Sequence, residues 1–237
     1  MDLMGWILTG NFLGTQKRWL AWASCLKKAE STQLSPLLLT AAVYYSVEIQ
    51  WNEPYWKYPV ESIAESLDWI NAMCYDYHGS WDLSATGAPA ALYDPTGNKS
   101  TSYGLTSWVN AGVPANKVVV GLPLYGRTWQ LKDPKVNGIG SAPATAFGPG
   151  ENGELIFSAV ENFNRENGAT VVYDANTVST YSYAGTSWIG YDDSQSTTVK
   201  LEYARKHGLR GYFFWSLGFD SDWEISRQGK PILGHEL

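Results

Sequence analysis

Cysteine is nearly absent from this 237-residue chain, which holds only Cys25 and Cys74. Their surroundings, KRWLAWASCLKK and INAMCYDY, read as a helix and a buried strand. Both are therefore expected as free core thiols, without a disulfide framework. Histidine is as scarce: His78, His207 and His235 stand apart from one another and from cysteine. That excludes metal-ligand spacing, so neither a metal nor a cofactor is expected. Positive charge is in the minority, with 17 Lys and Arg against 23 Asp and Glu and a net charge of -6. A nucleic-acid partner, which needs a basic patch, is excluded on that ground. No apolar run reaches the roughly 20 residues of a membrane-spanning helix, so no membrane partner is expected. The opening MDLMGWILTGNFLG lacks a basic segment followed by a long apolar core and does not read as a signal peptide. The closing GHEL departs from the HDEL retention signal. Localisation stays undetermined.

What is present points to an ordered protein. Hydrophobic residues make up 44% and charged residues 17%, the balance of a globular domain with a substantial core. The unusual feature is 12 Trp and 15 Tyr against 7 Phe. Rings with a polar handle suit surfaces that are half apolar and half wet. Sugar rings have that character, yet a large core would use the same residues, and composition leaves both readings open.

Four units repeat one logic along the chain. Apolar runs at 37–44 (LLLTAAVY), 69–75 (WINAMCY), 117–122 (KVVVGL) and 211–217 (GYFFWSL) read as buried strands. Helix spacing appears at 60–67, 101–111 and 197–207, the second and third followed by Gly112 and Gly208 as stop signals. Continuous apolar strands alternating with helices predict a parallel sheet covered on both faces. Between the third and fourth strands, 128–191 differs in character. A Gly/Pro loop, a predicted helix at 154–165 and Val/Tyr/Thr-rich strands (ATVVYD, VSTYSYAG) predict a small α+β insertion. A sequon, Asn98-Lys99-Ser100, lies in a Gly/Pro/Ser-rich loop and matters only in a secreted protein.

In a parallel barrel, residues just past each strand's C-terminal end line the active face. That rule selects Tyr75-Asp76-Tyr77, Pro123 to Arg127 and Trp215. Tyr, Asp, Arg and Trp are residue types that suit an amide-bearing sugar. An unpartnered buried Asp is costly, so Tyr75-Asp76 is hard to read as packing. Trp51, Trp56, Trp81 and Trp129 fall in predicted loops as further stacking candidates.

These segments resemble a known family. Met73-Cys74-Tyr75-Asp76 resembles the MxYD motif, and Gly121 to Arg127 (GLPLYGR) the GxPxYGR motif, of family 18 glycoside hydrolases. Trp188 to Asp193 (WIGYDD) and Gly211 to Trp215 (GYFFW) are similar to two further segments of that family. Order and spacing agree, and the pattern is that of plant class V chitinases. The resemblance implies a (β/α)8 TIM-barrel type of α/β fold, of which about strands four to eight are present. Residues 1–127 and 192–237 would form this part, and 128–191 the α+β insertion between strands seven and eight. It implies chitin or N-acetylglucosamine oligosaccharides as partners, and a substrate-assisted retaining hydrolysis in which the sugar's own acetamide attacks. Carried over, Tyr75 would bond that acetamide and Asp76 the distorted sugar. Tyr125, Arg127 and Asp193 would bind neighbouring sugars, with Trp215 as the floor and Met73 beside it.

One part of the pattern is missing. The family's strand-four motif, DGxDxDxE, carries the general acid, but this chain opens MDLMGWILTGNF. Asp2 is the single motif carboxylate retained. Met4 falls where the acetamide-orienting Asp belongs, and Trp6 or Ile7 where the acid belongs. The next acidic residue is Glu30, far along the predicted helix, and Glu48 and Glu53 lie beyond the following strand. Losing a general acid costs about two to four orders of magnitude, so negligible turnover is expected of these residues. Three readings follow: a hydrolase seen incompletely, a lectin-like chitin-binding protein, or a remnant without function. Strands left without neighbours would expose sheet edges, and self-association through them is expected.

Overall fold

The computed structural model describes residues 6–9, 38–49, 56–140 and 144–229. In chain order its strands and helices begin with β1 (Trp6–Thr9), β2 (Leu39–Tyr44), β3 (Glu48–Ile49), β4 (Trp56–Lys57), α1 (Val60–Ser66) and β5 (Trp69–Met73). Next come α2 (Thr101–Ala111), β6 (Val118–Pro123), β7 (Tyr125–Leu131), β8 (Ala144–Phe147), β9 (Glu154–Ile156) and α3 (Phe157–Asn167). The last are β10 (Thr170–Asp174), β11 (Ser179–Ala184), β12 (Ser187–Tyr191), α4 (Ser194–Lys206) and β13 (Gly211–Trp215).

The four apolar runs all form strands of one sheet. With β1 they lie in the order β1-β2-β5-β6-β13, every pair parallel. All six residues of β6 are buried, as a continuous apolar strand covered on both faces requires. Helices α1, α2 and α4 make the crossovers. Their apolar faces join Val43, Ile70, Val118 and Val120 of the sheet in one core with Ile63, Leu105, Trp108 and Ala204.

Helix α2 shows how tightly the layers meet. Ser100 caps its N-terminus and accepts the Tyr103 amide, and Gly112 ends it at φ 118°, the left-handed conformation glycine favours. A glycine inside a helix is ordinarily unfavourable. At Gly104, however, a Cβ would sit 2.4 Å from the Tyr45 carbonyl oxygen, so only glycine lets this helix approach the end of β2.

The second sheet is antiparallel, in the order β10-β11-β12-β7-β8, with β9 also on β7. Two details differ from the sequence expectation. The predicted helix at 154–165 begins later, because Glu154–Ile156 pairs with Tyr125–Arg127 as strand β9 and only Phe157 starts α3. Helix α4 begins earlier than predicted, at Ser194, because Asp193 forms a capping box with Ser196 and satisfies the first-turn amides.

Candidate functional site: an aspartate, arginine and tyrosine cluster at the strand ends

The C-terminal ends of β5, β6 and β13 lie side by side, with Phe214 opposite Leu122 and Trp215 opposite Pro123. Beyond β5 the chain turns sharply. Asp76 has φ 62°, a left-handed conformation that few non-glycine residues adopt and that Asp tolerates best. The turn brings its carboxylate to β7. Oδ1 of Asp76 accepts the Tyr125 hydroxyl at 3.0 Å and Arg127 Nε at 2.8 Å, and Arg127 Nη2 lies 2.7 Å from it as an ion-pair contact. Two hydrogen bonds and an ion pair converge on one oxygen, and among the described residues none reaches Oδ2.

Arg127 is held from four sides. Its Nη1 pairs with Glu154 at 3.0 Å, directly opposite it in the β7–β9 ladder. The guanidinium lies 5.2 Å from the Trp81 ring and 5.1 Å from the Tyr125 ring, within cation–π range. Burial pulls the Arg127 pKa down, but the charge and hydrogen bond of Asp76, with smaller contributions from Tyr125 and Glu154, together outweigh it and leave the group above its ordinary value. The Tyr75 ring meets Tyr125 edge-on at 6.2 Å and Phe213 at 6.4 Å. Burial, and then the Asp76 charge, raise the Tyr75 and Tyr125 hydroxyls well above the usual phenol range. Both are therefore hydrogen-bond donors at any physiological pH.

A cleft of about 600 Å³ opens beside this cluster, lined by Tyr44, Tyr45, Asp76, Tyr77, Trp81, Asn98 and Lys99. Trp81 is 60% exposed and Trp215, at the end of β13, is 56% exposed. Large apolar rings left this open at strand ends are platforms rather than core. The arrangement offers two bare aromatic faces, one carboxylate oxygen free to accept, and the half-buried Tyr75 phenol able to donate. Such a set fits a neutral, polyhydroxylated ligand with apolar faces.

The sequence-predicted residues divide clearly. Tyr75, Asp76, Tyr125 and Arg127 are brought together, and Met73, half-buried, ends β5 immediately before them. Trp215 stands on the same sheet end, its carbonyl accepting the Leu124 amide at 2.8 Å. Asp193 does not join them, since its carboxylate accepts the Ser196 amide at 2.9 Å as the cap of α4. Asp2, Met4, Trp51, Glu53 and Cys25 lie outside the described residues. Glu48 pairs with Lys57 at 3.5 Å. Trp129 corrects the sequence reading: it lies in strand β7, fully buried against Trp188, because an inward-facing position on a half-buried strand puts a ring in the core. Trp56 is in β4, packed against the main core. Glu154 was missed. Only the β7–β9 register reveals it, and no local pattern in the sequence encodes that pairing.

Comparison with known proteins places these features in a lineage. The family model described as Glycosyl hydrolases family 18 matches residues 17–220. A class V chitinase of Lotus japonicus is 48% identical over 92% of this chain and 54% of its own length. The class V chitinase of Nicotiana tobaccum, a mutant of which was crystallised in complex with NAG4, superposes with a TM-score of 0.92 at 35% identity. That match covers 98% of this chain and 69% of the tobacco chain. A chitinase-like agglutinin of Robinia pseudoacacia superposes with a TM-score of 0.81 at 34% identity, covering 97% of this chain and 68% of its own. The chain spans about half the length of the curated relatives it matches. With the parallel sheet, the α+β excursion and the strand-end cluster in the expected order, the chain belongs to glycoside hydrolase family 18 and has the α/β fold of the TIM-barrel type.

Proposed function

We propose that these residues form the sugar-holding wall of a family 18 site and bind chitin-type oligomers of N-acetylglucosamine. The observation that carries this reading is the Asp76 carboxylate. Tyr125 and Arg127 fix its Oδ1, and the carboxylate side chain lines the cleft together with the exposed Trp81 ring. In the reading, Oδ2 accepts a sugar hydroxyl or amide, the Tyr75 hydroxyl donates to the acetamide carbonyl, and Trp81 and Trp215 stack on C–H faces. The division of the chain into a barrel-type part (1–127 and 192–237) and an inserted subdomain (128–191) belongs to the same proposal. The charged cluster then draws on both parts, with Asp76 and Arg127 from one and Glu154 from the other.

Cleavage needs a general acid, and between Asp2 and Glu30 there is no acidic residue. We infer that the 237 residues bind without hydrolysing. The chitinase-like agglutinin among the structural relatives supports that reading, and the class V chitinases among the relatives support chitin-type sugars as the ligand. Calorimetry of the 237-residue chain with N-acetylglucosamine tetramer, followed by chromatography of the sugar, tests both parts. Saturable binding with the tetramer recovered intact is expected. Tetramer cleaved at the rate of an intact class V chitinase would overturn the non-hydrolysing part, and absence of binding would overturn the whole reading.

A further inference from the structure

Lys200 lies in the middle of α4 and is 1% exposed, and its partner Asp192 is 3% exposed. Its Nζ donates to both Asp192 carboxylate oxygens and to the Ala90 carbonyl, each at 2.5 Å. The three protons of the ammonium are thereby spent. Ser196 Oγ adds a donor to Asp192 Oδ1 at 3.0 Å. A buried ion pair of this kind returns little stability, because desolvating two charges offsets their attraction, and apolar side chains would fill the space as well. What apolar side chains could not supply is a fixed position for the Ala90 carbonyl.

The neighbouring atoms show what that position holds. Next to Ala90, the Pro89 carbonyl accepts the Tyr77 amide at 3.0 Å. On its other side, the Ala91 carbonyl accepts the Thr101 amide at 2.9 Å, and Thr101 Oγ1 bonds the Tyr77 hydroxyl at 3.0 Å. Pro89 itself packs on Gly190, where an added Cβ would come within 3.0 Å of Pro89 Cδ. Tyr77 is thus clamped at amide and hydroxyl by residues 89–101. It immediately follows Asp76, whose left-handed φ of 62° persists only where its surroundings over-determine it.

We propose that Lys200 is a positioning residue for the sugar site. Through Ala90 and Pro89 it fixes Tyr77, and through Tyr77 it holds the turn that aims the Asp76 carboxylate into the cleft. Residues 89–91 are the link, tied on one side to α4 and the end of β12 and on the other to the turn after β5. This deepens the reading of Asp76 as a sugar contact and rests on it.

The test compares Asp192→Asn/Lys200→Met, which removes the pair without stranding a buried charge, with Ile63→Ala. The latter opens the main core at α1, whose last-turn carbonyls bond Lys117 rather than residues 89–91. Asp192→Asn/Lys200→Gln retains a side-chain donor toward Ala90 and serves as the rescue variant, and as the working variant if the Met form does not fold. Two signals are read on the folded proteins: the Asp76 and Tyr77 backbone amide resonances without sugar, and affinity for N-acetylglucosamine tetramer by calorimetry. The Met variant is expected to move both resonances and weaken binding about tenfold, the Gln variant to recover part of each, and Ile63→Ala to change neither. If the Met form does not fold, the Gln form is expected to shift both resonances by less than a full loss of the turn and to bind measurably weaker than wild type. Unmoved Asp76 and Tyr77 resonances, or a loss of affinity equal to that of Ile63→Ala, would overturn the proposal. Should the wild-type chain bind no tetramer, the sugar reading fails, and the resonances alone still decide whether Lys200 sets the turn.

Discussion

At the scale of single residues, sugar binding turns on which oxygen of Asp76 is occupied. Asn tolerates left-handed backbone and can still accept from Tyr125 through its amide oxygen, so Asp76→Asn is expected to fold normally. It loses the charge that holds Arg127 and faces the cleft. Affinity for N-acetylglucosamine tetramer is expected to fall about tenfold or more, as hydrogen bonds to charged groups are worth roughly 1.5–3 kcal/mol. Calorimetry and a thermal melt on the same sample check both statements. Asp193 makes the opposite case. Asp193→Ala removes the cap of α4 and is expected to cost about 1 kcal/mol of stability while leaving tetramer affinity unchanged. Denaturant unfolding and calorimetry together separate the cap from a sugar contact.

Much of the cluster was legible before any coordinates. Tyr75, Asp76, Tyr125, Arg127 and Trp215 follow from apolar strands and the rule that their C-terminal ends face the site. What was not legible depends on pairings between distant segments. Glu154 reaches Arg127 because β9 runs against β7, and Trp129 is buried because β7 turns that face inward. A ring in a half-polar stretch looks the same in sequence whether it faces core or solvent.

At the scale of elements, α2 packs through Gly104 against Tyr45, which lines the cleft with Asn98 and Lys99. Gly104→Ala would push a methyl into the Tyr45 carbonyl, and overpacking of this kind costs about 1–3 kcal/mol. Because Tyr45 also lines the cleft, the substitution is expected to lower both the melting temperature and tetramer affinity. A melt with unchanged midpoint would contradict the close approach of α2 to β2. The strand assignments at 37–44, 69–75, 117–122 and 211–217 agreed with the fold because buried parallel strands carry an unbroken apolar run. Helix boundaries were less legible, since Glu154 has helix-compatible spacing and only tertiary pairing makes it a strand.

At the scale of the whole molecule, burial of titratable groups ties stability to alkaline pH. Burial pushes the Cys74 thiol up to about 12 from 9.0, and the Tyr58 and Tyr191 hydroxyls up to about 12 from 10.0. A raised folded-state pKa stabilises fully below the unfolded value and loses that contribution as pH climbs toward the folded one. The melting temperature is therefore expected to hold below about pH 9 and to fall progressively between about pH 9 and 12. A melting temperature independent of pH across that range would contradict the buried placement of these groups. The open ends of the first sheet carry a second expectation. Among the described residues β1 and β13 each pair on one side only, and β13 is only half-buried. Light scattering of the 237-residue chain is expected to show self-association that grows with concentration. A concentration-independent monomer would count against it.

Asp76, Tyr125, Arg127 and the exposed tryptophans are proposed together as the hold on an amino-sugar oligomer. The most direct measurement is a calorimetric titration of N-acetylglucosamine tetramer into the wild-type chain and into Asp76→Asn at neutral pH. A saturable isotherm for the wild type, weakened about tenfold or more in the variant, is the predicted result. No binding to a well-folded wild-type chain, or equal affinity in both, would contradict that role.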